Sequence, residues 1–370
     1  MTRKIPIAKP NVDQEEENAV LDVLRSGFLV SGKKVKELEQ SFAEYVGAKH
    51  AVAVTNGTIA LDTALKSLQI GAGDEVITSA FSFVASGNCV LFQNAKPVFA
   101  DICPKTYNID PDDVAEKITP KTKAIIPIHL FGQPANMDAL KEIAQDNNLA
   151  LVEDSAQAHG AEYKGQKTGS LGDLGCFSFY ATKNMIAGEG GMVTTNNSDL
   201  AARARLLISH GETKKYQHDL LGYNYRMIEM CAAIGCVQLK KLDAFNKKRN
   251  ENAALLSKGI QQIDGLTVPY VASDMKHVFH QYVIRVENNY PLSRDELSAQ
   301  LADKGVGSAV HYPIPIYNQP LYVKLGYTNV SCPNCEDASK RVLSLPVHPL
   351  VTKDDIEYIL DVLNEISDEG

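Results

Sequence analysis

The sequence predicts an α/β fold built on a largely parallel sheet, with a second, smaller α/β unit behind it. Three observations lead there: short apolar runs recur through the first half of the chain, helical patterns separate them, and the pattern changes near residue 240. Ala51–Val54 reads as a strand, and Thr58 to Leu68 follows as a helix with Leu61, Leu65 and Leu68 on one face. Gly71–Asp74 breaks the chain before a strand at Glu75–Thr78. Further strands are expected at Pro97–Ala100, Ala124–Pro127, Leu149–Val152, Cys176–Phe179 and Met192–Thr195, with helices near 82–93, 136–147 and 198–208. Such alternation implies right-handed crossovers and a sheet covered on both faces, in which ligands gather beyond the carboxyl ends of the strands.

Beyond that point, Leu239 to Leu256 reads as a long charged helix. It leads to a strand at Gln281–Val286, a helix begun by Ser293–Glu296, the proline-rich His311–Tyr317 and a last amphipathic helix capped by Thr352. The expected division is a large domain at 12–240 and a small one at 241–370, with segment 1–11 packed near the latter. A length of 370 residues accommodates two units at roughly 150 residues per domain.

Lys and Arg number 37 against 45 Asp and Glu, a net charge of −8, so no basic stripe is available for nucleic acid. No run approaches the ~20 apolar residues that span a bilayer, and the first residues carry no signal-peptide core. The expectation is a soluble, cytoplasmic protein without a membrane or nucleic-acid partner. Seven cysteines, an odd number and partly within apolar runs, read as reduced thiols rather than a disulfide scaffold. Cys332 and Cys335 form a CxxC pair without a second pair at zinc-ribbon spacing, and no metal site is expected.

Three features fall at strand ends. Val54–Thr58 leaves a strand and opens a helix, and the free amides of the helix N-terminus, helped by Gly57 and the Thr58 hydroxyl, suit a phosphate, although an ordinary cap uses the same residues. Glu153 and Asp154 end an apolar strand, where a carboxylate serves as general base, as metal ligand, as partner of a protonated heterocycle, or simply as a helix cap. Lys183 follows the aromatic strand Phe177–Tyr180 and precedes Gly188–Gly191; desolvation there lowers the amine's pKa and makes it nucleophilic. Together these are the parts of a pyridoxal 5′-phosphate site: a lysine for the aldehyde, a carboxylate for the ring nitrogen and a helix terminus for the phosphate. No dinucleotide fingerprint or Walker loop competes.

With those residues in place, the chain resembles the DegT/DnrJ/EryC1/StrS family of pyridoxal-phosphate-dependent sugar aminotransferases, of the aspartate-aminotransferase fold (type I). The resemblance covers nearly the whole chain and is carried by Gly27–Gly32, Asn56–Leu61, Glu153–Gly160, Ser178–Asn184, Gly188–Gly191, Gly222–Met227 and Val310–Pro313. By position it implies that Lys183 is the Schiff-base lysine and Asp154 the partner of the ring nitrogen. Gly57, Thr58 and Ser178 match phosphate ligands, Phe83 the aromatic stacked on the ring, and Gln157 the contact on its hydroxyl side. Asn224 matches a residue given to the phosphate of a neighbouring subunit, which implies a homodimer with shared active sites. Phe28, Arg226 and Tyr312 fall where the family meets substrate, whereas His159 and His210 take structural or supporting roles.

The activity so implied is transfer of an amino group from L-glutamate to a nucleotide-linked keto sugar. Tyr180–Asn184 and His311–Pro315 lean slightly to members acting at sugar C3 rather than C4. A cyclitol aminotransferase and a sugar dehydratase on the same scaffold are the alternatives. In the dehydratase branch a histidine takes the position of Lys183, so the lysine favours transfer.

Overall fold

The computed structural model describes residues 3–369; Met1, Thr2 and Gly370, which the expected segments include, lie outside the described residues. Seven strands form the main sheet: β1 His50–Val54, β2 Glu75–Ser79, β3 Lys96–Ala100, β4 Thr122–Ile126, β5 Ala150–Asp154, β6 Leu174–Ser178 and β7 Gly191–Thr195. Their spatial order is β1-β7-β6-β5-β4-β2-β3. Pairing is parallel from β3 through β6, while β7 runs antiparallel to both β6 and β1. A largely parallel sheet is what the alternation predicted; the reversal of β7 is an addition. Its cause is local, because β6 and β7 are joined only by the loop 179–190, which contains no helix to carry the chain back for a parallel crossover.

Every residue of β2, β6 and β7 is buried, as expected for strands covered on both faces. Helices α1 (Gln14–Ser26), α2 (Lys33–Val46), α3 (Gly57–Ser67), α4 (Ala85–Leu91), α5 (Met137–Asp146) and α6 (Ser198–Leu207) supply the cover. Alternation along β6 divides the core between the faces. Cys176 packs with Val54, Leu61 and Leu65 on the side of α3, whereas Phe177 packs with Val35, Leu38 and Phe42 on the side of α2.

Helices α1 and α2 were not anticipated, although the capping box of Asp13 with Glu16 was written in the sequence. Helix α2 begins at Gly32, which offers no side-chain cap. The buried Glu229 carboxylate replaces it, accepting from the amides of Gly32, Lys34 and Val35 at 2.8, 2.9 and 2.9 Å. This fixes the end of the 27–32 segment to the start of α7 (Glu229–Ile260).

Helix α7 is 32 residues long and starts ten residues before the expected Leu239. Its first turns are small and apolar (Ala232, Ala233, Gly235, Cys236), so a search for a charged helix passed over them. Leu242 sits in the α2-side core, while Ala253, Leu256 and Ile260 sit in a separate apolar cluster. That second cluster lies around a three-stranded antiparallel sheet, β8 (Leu266–Thr267), β9 (Tyr282–Val286) and β10 (Val342–Leu345), covered by α8 (Arg294–Asp303) and a C-terminal helix, Lys353–Glu369. Ile5 joins it, with its amide on the Gly305 carbonyl at 2.9 Å. Ser293 caps α8 in a capping box with Glu296, and the Thr352 hydroxyl accepts from the Asp355 amide at 3.1 Å. Among the described residues no helix is long and apolar enough to cross a membrane.

Candidate active site

The two carboxylates that end β5 point to opposite faces, as neighbouring residues of a strand must. Glu153 is fully buried and accepts from the amides of Gly169, Leu171 and Gly172 at 2.8, 2.7 and 2.7 Å. His129 lies 2.8 Å from it through Nε2; Nδ1 accepts from the Ala135 amide at 3.0 Å, so Nε2 carries the proton and donates. Glu153 is thus consumed in holding the 168–172 turn against β5. Asp154 faces the other way, into a cavity of about 730 Å³ at the carboxyl ends of the strands. Its Oδ2 accepts from the Ser86 hydroxyl at 2.9 Å and its Oδ1 from the Ala156 amide at 3.2 Å. Burial pushes the carboxyl pKa up, and these two donors together with the charge of Lys183 oppose the rise.

The same cavity is lined by Gly57, Thr58, Phe83, Gln157, Ser178 and Lys183, so one space gathers the residues that the sequence placed at three separate strand ends. Asn56 caps α3 by accepting from the Ile59 amide at 2.9 Å, which leaves the Gly57 and Thr58 amides at the open first turn. Gly57 is required by a close approach: a Cβ there would lie 2.6 Å from the Ser178 Cβ. Ser178 Oγ accepts from the Tyr180 amide at 3.4 Å, leaving its own proton to donate. Two helix amides, a serine hydroxyl and an absent side chain make a cradle for a phosphate group.

Lys183 reaches the cavity from the loop between β6 and β7. Burial of its amine pushes the pKa down to about 8, with Asp154's charge pulling the other way. Phe83 and Phe81 separate cleanly: Phe81 is fully buried in the core, whereas Phe83 is 58% exposed and on the cavity wall, so core packing does not account for it. Gln157 is held by the Phe131 amide, which donates to Oε1 at 2.7 Å, and its Nε2 donates to the Tyr312 hydroxyl at 2.9 Å. Tyr312, from the C-terminal part of the chain, also brings its ring centroid to 6.5 Å from that of Phe83. These contacts fix the rim above the cavity floor.

Three expected residues stand outside this wall. Phe28 is 78% exposed, Asn224 is exposed on the 222–227 segment, and Arg226 donates to the Ser209 hydroxyl at 3.2 Å. His210 is exposed as well. His159 is buried against Phe177 and Phe179, and burial pushes its pKa down to about 3, so it is a neutral packing ring. Cys332 and Cys335 are buried in the apolar cluster of Phe99, Tyr317 and Tyr322, where burial drives the Cys332 thiol up to about 12. Asp101 accepts from the Asn334 and Cys335 amides at 2.9 Å each, so its carboxylate caps the helix that the CxxC turn opens. Ser82, Ser86 and Glu189 also line the cavity, though the sequence reading gave them no individual role, and so does Tyr180 of the Tyr180–Asn184 segment.

The DegT/DnrJ/EryC1/StrS aminotransferase family model matches residues 10–364, and the chain belongs to that family. It is 41% identical to the spore coat polysaccharide biosynthesis protein SpsC of Bacillus subtilis, covering 98% of this chain and 97% of that protein. It is 39% identical to the UDP-N-acetyl-3-dehydro-alpha-D-glucosamine 3-aminotransferase of Acidithiobacillus ferrooxidans, over 92% of this chain and 90% of that one. Among solved structures, Streptomyces venezuelae DesV in complex with a ketimine intermediate superposes with a TM-score of 0.94 at 36% identity, covering 99% of each chain. The protein is an aminotransferase that depends on pyridoxal phosphate, on the fold of that enzyme class.

Proposed function

We propose that this aminotransferase moves an amino group from L-glutamate to the keto carbon of a nucleotide-linked sugar, with C3 favoured over C4. The observation that carries the reading is the meeting of Lys183, Asp154 and the Gly57–Thr58–Ser178 cradle in one cavity. The lean to C3 is supported by the Tyr180–Asn184 and His311–Pro315 segments and by the similarity to a 3-aminotransferase. In this reading the boundary between the two units falls within α7 near residue 240, and Tyr312 comes from the smaller unit to the rim of the site.

Bound pyridoxal phosphate supplies an aldehyde and an electron-withdrawing ring able to accept negative charge from the donor's α-carbon. The chain's residues do the rest. Gly57, Thr58 and Ser178 hold the phosphate, and Asp154 keeps the ring nitrogen protonated, because an adjacent carboxylate favours the charged heterocycle. Phe83, on the cavity wall, would cover one face of the ring and orient it. Lys183 Nζ is the amine that would hold the aldehyde carbon, and as a free amine it would take the proton from the donor α-carbon as general base. A half-neutral amine near pH 8 suits both tasks better than an ordinary lysine would.

Phe28, Asn224 and Arg226 fit a homodimer in which each subunit lends residues across to its partner's site. The cytoplasm is the proposed compartment. The deciding experiment offers glutamate with a panel of nucleotide-linked 3-keto and 4-keto sugars and identifies products by NMR. A 3-amino product confirms the assignment, a 4-amino product moves it by one carbon, and amination of a free inosose alone replaces the substrate class. Lys183→Ala should abolish turnover on every substrate; wild-type rates in that variant would remove the mechanism.

A further inference from the structure

We propose that Ser86 is a positioning residue for Asp154, its hydroxyl oriented by Ser82 so that the carboxylate is held ionised and turned toward the ring-nitrogen position. The proposal rests on the reading of Asp154 as the cofactor's ring partner and adds the groups that set its state. An ionised carboxylate only accepts, so the 2.9 Å contact has Ser86 as donor. Ser86 then has lone pairs left, and Ser82 Oγ lies 3.0 Å away, so Ser82 donates in turn. The carboxylate therefore sets the direction of a two-hydroxyl chain, and both serines are at least nine-tenths buried on the cavity wall.

The geometry leaves Ser86 little freedom. It sits in the first turn of α4, and the next residue, Gly87, meets the Tyr322 hydroxyl so closely that an added Cβ would lie 2.4 Å from it. Tyr322 also donates to Asn88 Oδ1 at 2.9 Å, locking α4 to the C-terminal part of the chain. Asp154 Oδ1 is held separately by the Ala156 amide, so each oxygen has one fixed donor and a lone pair to spare for an incoming N–H. Hydrogen bonds to a charged acceptor are about twice as strong as neutral ones. Losing the one at Oδ2 makes the carboxylate easier to protonate, and a protonated Asp154 cannot favour a protonated ring nitrogen.

The test measures the dissociation constant of pyridoxal phosphate for the apo-protein across pH in the wild type, S86A, S82A, D154N and the S86A/D154N pair. Alanine is close to serine in volume, so thermal melting serves as the check on folding. S86A should weaken binding by roughly tenfold or more. The acid-side loss of affinity should also move to higher pH, with S82A showing a smaller shift in the same direction. In the D154N background Ser86→Ala should add little, since the two residues act through one contact. Unchanged affinity and pH profile in S86A, beside a clear effect of D154N, would overturn the role of Ser86 alone. An S86A effect undiminished in D154N would overturn it too. If D154N itself changes neither affinity nor pH profile, the reading of Asp154 falls and this proposal falls with it.

Discussion

At the scale of single residues, the site depends on groups held away from their ordinary protonation. Lys183 is the clearest, since burial outweighs the attraction of Asp154 and brings its pKa to about 8. With the neutral Lys183 amine as the proposed nucleophile, capture of pyridoxal phosphate by apo-protein should accelerate as pH rises and level off above about 8. An ordinary lysine would keep gaining speed to roughly pH 10.4. Stopped-flow absorbance on mixing apo-protein with the cofactor reads the difference, and a plateau only above pH 10 would show that the amine is solvated. Asp154 is shifted the other way, raised by burial, and it stays useful only because Ser86, Ala156 and Lys183 stabilise its charge. Asp154→Asn should bind cofactor more weakly and, even when saturated, lose most of its turnover, because a ring that is not held protonated accepts charge poorly. Steady-state kinetics at saturating cofactor makes the comparison, and near-normal turnover would contradict the assigned role.

Secondary-structure elements decide which of these residues can meet. Alternation along β5 sends Glu153 into a closed set of amides and Asp154 into the cavity, a separation that the adjacent letters did not reveal. The end of β6 and the start of α3 approach so closely that only glycine fits at position 57. Gly57→Ala should therefore push α3 away from Ser178. We expect a stability cost of about 1–3 kcal/mol, read by denaturant unfolding, and a larger proportional loss of cofactor affinity. Unaltered affinity in a folded G57A variant would mean that the cradle does not bind the phosphate. The residues legible by chemical type at a strand end were Lys183, Asp154 and Gly57, while Ser178 came by position from the family resemblance. Ser82 and Ser86 were not, because two serines in a mostly apolar stretch look like filler until the fold brings Asp154 beside them. Their spacing of four within the expected helix 82–93 was the available signal. The antiparallel β7 was hidden for a different reason: its buried apolar residues carry no record of strand direction.

At the scale of the whole molecule, the chain builds most of a site but leaves some expected contributors on its outside. Phe28 and Val30 are 78% and 76% exposed on the segment between α1 and α2, and Leu221 is 79% exposed beside Asn224. Exposed apolar side chains are ordinary singly; a contiguous group of them is what marks a surface that another protein covers. Their position was unreadable from sequence periodicity, since pattern reports which residues are apolar and not where they lie on the surface. If two copies pair so that each gives Asn224 to the other's phosphate cradle, the two functions belong to different chains. Lys183→Ala and Asn224→Ala proteins, each nearly inactive, should then complement on mixing under conditions that exchange subunits. In a mixed dimer one site has lost both residues, while the other has an intact Lys183 from one chain and an intact Asn224 from its partner. At equal amounts, half the dimers are mixed and half their sites are whole, so roughly a quarter of wild-type activity should return. Size-exclusion chromatography with light scattering checks that the mixtures are dimers. A dimeric mixture with no recovered activity would place Asn224 in the same site as the lysine of its own chain, or in none.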